Sequence, residues 1–210
     1  TFGAMILPSG PTVATIDTSS VLRVAMADDS RRIALQAGQA WFQVAKDRKR
    51  PFVVDAGIAQ VRAVGTAFSV RRTGNGVRVA VTEGRVAAWA TDSGGTMTIL
   101  EAGQYATFRP GAVGPEVATA PAAIERSLAW RSGEISLENE TLGSAVEQFN
   151  RYNQQQLVIV DGDLTNARLV GLFRIDRPAD FAATLSASLD VAVTTTPAEI
   201  RLARKKNPQP

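Results

Sequence analysis

Val61-Arg62-Ala63-Val64-Gly65-Thr66-Ala67-Phe68-Ser69-Val70 and, beyond Thr73-Gly74-Asn75-Gly76, Val77-Arg78-Val79-Ala80-Val81-Thr82-Glu83-Gly84-Arg85-Val86 read as strand, turn, strand. Val77, Val79 and Val81 alternate with Arg78 and Ala80, the period of two that puts one face of a strand on a core. Thr73-Gly74-Asn75-Gly76 is a hairpin signal, because Asn and Gly tolerate positive φ. Working outward, the same texture continues on both sides. Ile33 and Leu35, then Trp41, Phe42 and Val44, then Phe52-Val53-Val54 lie upstream. Val86 and Trp89, then Met97, Ile99 and Leu100, then Tyr105 and Phe108 lie downstream. Gly38, Gly57, Gly84, Gly103 and the run Asp92-Ser93-Gly94-Gly95 punctuate them. Residues 1–118 are therefore expected to form an all-β domain: a twisted two-sheet sandwich, a barrel or a short solenoid-like stack.

The texture breaks after Phe108. Pro110, Pro115 and Pro121, with glycines and alanines between them, predict an extended surface stretch and a linker over 119–129. From 130 to 204 the period changes. A strand over Glu134–Leu137 precedes a helix capped by Thr141, with Leu142, Ala145, Val146 and Phe149 on its apolar face. Leu157–Val160 and Arg168–Arg174 read as strands. Pro178 and Asp180 open a second helix carrying Phe181, Leu185 and Leu189. Val191–Thr195 and Glu199–Leu202 close as a hairpin. The expectation is a small α+β domain of β-α-β repeats, both helices on one face of a single sheet, and a frayed tail over 205–210.

Composition removes several functions. The chain has no cysteine and no histidine. Disulfides, thiolate metal sites and a Ser-His-Asp triad are impossible, and only carboxylate catalysis is left open. A net charge of +3 with 20% charged residues does not suggest a nucleic-acid binder. No apolar run reaches the length of a membrane span. The start, Thr1-Phe2-Gly3-Ala4-Met5, has neither an initiator Met nor a basic leader and reads as a cut through a longer protein.

Five blocks then fall in one order: Arg32-Ile33-Ala34-Leu35-Gln36-Ala37-Gly38-Gln39-Ala40-Trp41-Phe42-Gln43-Val44, Arg50-Pro51-Phe52-Val53-Val54, Ala63-Val64-Gly65-Thr66-Ala67-Phe68-Ser69-Val70, Val79-Ala80-Val81-Thr82-Glu83-Gly84-Arg85-Val86, and Leu100-Glu101-Ala102-Gly103-Gln104. Together they resemble the FecR family. Leu7-Pro8-Ser9-Gly10 departs from that family's usual opening. Ala129-Trp130-Arg131-Ser132-Gly133, Phe149-Asn150-Arg151-Tyr152 and Gly171-Leu172-Phe173 resemble its C-terminal region, which is similar to the secretin/TonB short N-terminal domain. The resemblance implies a periplasmic receiver tethered to the inner membrane by a helix that would precede Thr1. It implies three kinds of partner: the signalling domain of a TonB-dependent outer-membrane transporter, a sigma factor held by a missing N-terminal head, and regulatory proteases. It implies no enzyme activity and no cofactor.

Docking is the function that needs a surface. The apolar strands, through Leu157, Ile159, Val170, Leu172 and Arg174, offer edges to an extended partner. The helix over 141–152 offers Glu147, Gln148, Arg151 and Tyr152. Asn150-Arg151-Tyr152 also fits a purely structural role at a helix end. The competing reading is an envelope glycan-binding module, which needs Trp41 and Trp89 exposed as stacking platforms. Gly65-Thr66 and Glu83-Gly84 read as turns. Lys46 to Arg50 fits either an anionic-surface contact or, as the default, a solvated hairpin tip. Asp161, Asp163 and Asp176 fit no calcium loop.

Overall fold

The computed structural model describes residues 3–7, 11–27, 31–92 and 96–205. They fall into two compact units, 1–125 and 126–210. The Leu7-Pro8-Ser9-Gly10 departure, the Asp92–Gly95 turn and the tail lie wholly or partly outside the described residues.

In the first unit the strands are β1 (Gly3–Ile6), β2 (Val13–Ile16), β3 (Val21–Met26), β4 (Arg31–Gln43), β5 (Phe52–Asp55), β6 (Ala59–Ala63), β7 (Ala67–Thr73), β8 (Gly76–Glu83), β9 (Arg85–Ala90), β10 (Thr98–Glu101), β11 (Gln104–Phe108) and β12 (Glu116–Thr119). They form one curled 12-stranded sheet in the order β10-β9-β6-β5-β4-β7-β8-β11-β12, with β2 and β3 also on β4. The expected alternation and the β7–β8 hairpin are present, with Thr73 opposite Gly76.

One strand explains the curl. The 13-residue β4 pairs β3 and β5 in its first half and β2 and β7 in its second. Between the halves stands Gly38, with φ 83°. A Cβ there would lie 2.2 Å from Ser20 Oγ. Only glycine meets both conditions. The bend lets the sheet close on itself over a core in which Phe42 lies 5.4 Å from both Phe52 and Phe68, ring centre to ring centre. The architecture is thus a single folded sheet with a sandwich-like core.

β4 and β5 are parallel, so the chain must cross over between them. Arg31 fixes that crossover. Its side chain is 1% exposed. Nε donates to Arg50 O at 2.8 Å, and Nη1 donates to Ala45 O and Thr12 Oγ1, both at 3.3 Å. Burial lowers the pKa of this guanidinium.

The stretch expected as a linker is partly helical. Helix α1 spans Pro121–Ser127, and a 3-10 turn over Ala129–Ser132 ends at Gly133 with φ 74°. Pro121 at the first helical position, ahead of Ala122 and Ala123, is the local cause.

The second unit continues with β13 (Glu134–Thr141), α2 (Leu142–Asn150), β14 (Gln156–Ile159), β15 (Arg168–Arg174), α3 (Pro178–Ser188), β16 (Val191–Thr195) and β17 (Glu199–Arg204). Thr141 caps α2, its hydroxyl accepting from the Ser144 N–H at 3.1 Å. The single sheet expected here is instead two: β13 antiparallel to β15, and β14-β17-β16 with β14 parallel to β17. Each helix carries the chain from one sheet to the other. The interior accordingly combines Phe173 of β15, Phe149 of α2 and Phe181 of α3, whose rings are 4.4–6.4 Å apart, with buried Leu157, Ile200 and Leu202 of the other sheet. Lys205, expected to fray, donates its N–H to Asp190 O at 2.9 Å.

Candidate docking surface

The two apolar strands proposed for docking differ sharply. Leu157 is buried, and its backbone is already taken. Asn150, at the end of α2, donates Nδ2 to Leu157 O at 2.9 Å and accepts the Leu157 N–H at 2.8 Å. The β14 edge is plugged there. Ile159 is half-buried.

β15 presents the opposite picture. Val170 is 78% exposed and Leu172 60%. Among the described residues β15 pairs only with β13. The Ile175 N–H bonds Gly133 O and the Leu142 N–H bonds Ala167 O, so odd-numbered residues turn their backbone toward β13. Val170, Leu172 and Arg174 then turn theirs to the open edge. Two exposed apolar side chains beside unpaired strand backbone are the arrangement that strand addition uses. Charges bracket the pair. Arg168 Nη1 donates to Asn139 O at 2.8 Å, and Arg174 Nε lies 3.3 Å from Asp176 Oδ1. That bond to Arg174 holds the Asp176 carboxyl below its ordinary pKa.

On α2, Glu147 is exposed and Gln148 half-buried. Arg151 and Tyr152 are half-buried, the guanidinium 5.4 Å from the ring centre. Asn153 Nδ2 ties the helix end to Phe149 O at 2.9 Å and Ile175 O at 2.8 Å. Asn150 and Asn153 are therefore structural. Their roles were hidden because each reaches a partner in another element.

The other readings find little support. Trp41 is 7% exposed and donates Nε1 to Thr82 Oγ1 at 3.3 Å; Trp89 is half-buried. Such rings make no open stacking platform. Asp161 and Asp163 both serve Arg204, accepting its N–H at 2.7 Å and its Nε at 2.6 Å. A cleft bordered by Ala37, Ala56, Ile58, Val77 and Pro110 has Arg72 as the one ionisable group among the described residues lining it. A carboxylate pair for glycoside hydrolysis is not found there.

Residues 4–87 match the family model described as FecR protein. The matched segment runs from β1 into β9. Two crystal structures of a "putative anti-sigma factor" from Parabacteroides distasonis ATCC 8503, at 1.65 and 2.50 Å resolution, share the fold. Each is 18% identical with a TM-score of 0.75, over 98% of this chain and 96% or 95% of theirs. No curated protein matches the sequence. Among the described residues no helix is long and apolar enough to cross a membrane.

Proposed function

We propose that this chain is the periplasmic, signal-receiving part of a transmembrane anti-sigma regulator. It takes a signal from a TonB-dependent outer-membrane transporter and passes it toward an extracytoplasmic-function sigma factor that controls iron-uptake genes. The observation that carries the reading is the FecR-type segment followed by a small two-helix unit, in a fold shared along nearly the whole chain with the Parabacteroides protein. The domain bounds that go with it are a β receiver to residue 118 and a signalling-type domain over 130–204. An N-terminal head holds the sigma factor, and regulated proteolysis frees it.

The transporter's signalling domain docks by adding a strand to β15. Pairing of β15 with a second copy of itself over its full length would set Arg168 opposite Arg174, and like charges directly opposite are destabilising. A foreign strand with acidic residues at those two positions avoids the clash.

Affinity between the 210-residue chain and signalling domains of transporters encoded beside it tests this. Leu172→Lys removes the apolar contact. Val170→Pro removes an outward N–H without touching the ladder to β13. Both should weaken binding at least tenfold, while Glu147→Lys leaves it unchanged. Full affinity in the two strand variants, with loss in Glu147→Lys, moves the surface to α2. Absence of binding to any such domain sinks the reading.

A further inference from the structure

The basic run Lys46-Asp47-Arg48-Lys49-Arg50 takes no part in that function. It lies in the crossover that Arg31 holds against the start of β4. A Cβ on Gly65 would stand 3.0 Å from Lys46 Cβ, so the run also borders the turn between β6 and β7. Lys46, Arg48 and Lys49 are exposed.

The adjoining sheet face continues the charge. Pairing register aligns Ile99, Ala87, Arg62, Val53 and Arg32 in one row across β10, β9, β6, β5 and β4. Their chain neighbours Val61, Ala63, Val54, Ile33 and Ala88 are in the core, so this row points outward. Arg85 stands on the same face, two residues from Ala87. Arg32, Arg62 and Arg85 are exposed, and Ile99 is 55% exposed. Strands about 4.8 Å apart put Arg62 and Arg32 about 10 Å from each other. Val53 between them is nonetheless buried, as two long side chains lying over it would make it.

Acidic groups do not neutralise the patch. Asp47 is bound to Arg50 Nε at 2.9 Å and to the Lys49 N–H at 3.0 Å. Glu83 and Glu101 are exposed, Glu101 opposite Arg85 in the β9–β10 register, and Asp55 of β5 accepts from the Gly57 N–H and from Gln60 Nε2. No ion pair joins Lys46, Arg48, Lys49, Arg32, Arg62 or Arg85 to another described residue.

We infer that this end of the first unit is a contact face for an anionic lipid bilayer. The cations spread across the face of several strands and an adjoining loop, which suits a surface of many phosphates and not one extended acidic segment. Arginine matches phosphate bidentately, and Ile99 beside the row supplies an apolar contact at headgroup level.

Co-sedimentation with vesicles of equimolar phosphatidylglycerol and phosphatidylcholine tests this, against pure phosphatidylcholine. The chain should pellet with the first, stay in solution with the second, and be released by salt. Arg48→Gln and Arg62→Gln should each lower partitioning about fivefold. Arg201→Gln, an equal charge loss in the second unit, should leave it nearly unchanged. Equal loss in all three variants would reduce the effect to net charge and overturn the inference. So would failure to pellet, with or without retention of the chain on a polyglutamate resin.

Discussion

At the scale of single residues, Gly38 carries the largest structural consequence. Its φ of 83° and its approach to Ser20 allow β4 to serve both halves of the sheet. Gly38→Ala meets Ser20 Oγ at 2.2 Å and strains the backbone as well. Urea unfolding should show a loss of about 2–4 kcal/mol. Gly74→Ala, with open space around its Cβ position, is the control and should cost far less. Asp47 carries a pH-dependent contact. The bond from Arg50, strengthened by the N–H groups of Lys49 and Arg50, holds its carboxyl below the ordinary value. A depressed folded-state pKa means the contact contributes fully above the unfolded-chain value and is lost as pH falls through the folded one. The Asp47 carboxyl should therefore titrate in an NMR experiment below the ordinary aspartate value of about 3.9. Arg50→Gln should move the midpoint back up.

At the scale of elements, the two edges of the second unit show how one sheet can close an edge and the other leave one open. Asn150 satisfies both backbone groups of Leu157, so β14 does not recruit a partner there. Asn150→Ala leaves a buried N–H and C=O unpaired and should cost about 1–3 kcal/mol. Hydrogen exchange at the Leu157 amide should accelerate, a change that a mere packing defect elsewhere on α2 would not produce. The sequence carried part of this. Alternation over Val77–Val81, the Thr73–Gly76 turn and the Thr141 cap each depend on residues a few positions apart, and all were legible. The division of β15 into two faces was legible for the same reason, since Val170 and Leu172 alternate with Leu169, Gly171 and Phe173; which face is exposed was not, because both are apolar. Periodicity assigns a strand to a face but not to a sheet, so the separation of β13–β15 from β14-β17-β16 was not legible. Nor was the plug on Leu157, because the side chain that makes it belongs to another element. Helix α1 was obscured by the prolines around it, although Pro121 at a helix start is itself a signal.

At the scale of the whole molecule, the second unit has an interior of its own. Phe149, Phe173 and Phe181 meet at 4.4–6.4 Å, and all the pairings of β13 to β17 are internal to residues 126–210. A polypeptide of residues 126–205 should fold alone and unfold in one calorimetric transition, with an enthalpy of about 55 kcal/mol near 60 °C. A unit of this size has little stability in reserve. Removing one ring from the three should therefore nearly exhaust it: Phe181→Ala costs about 3–5 kcal/mol, and the transition should disappear or fall below room temperature. Val170→Ala, on the exposed face of β15, should leave the transition in place. A Phe181→Ala fragment that melts like the parent would mean the aromatic group does not organise this core. A parent fragment without any cooperative transition would mean that residues 126–210 are not a folding unit.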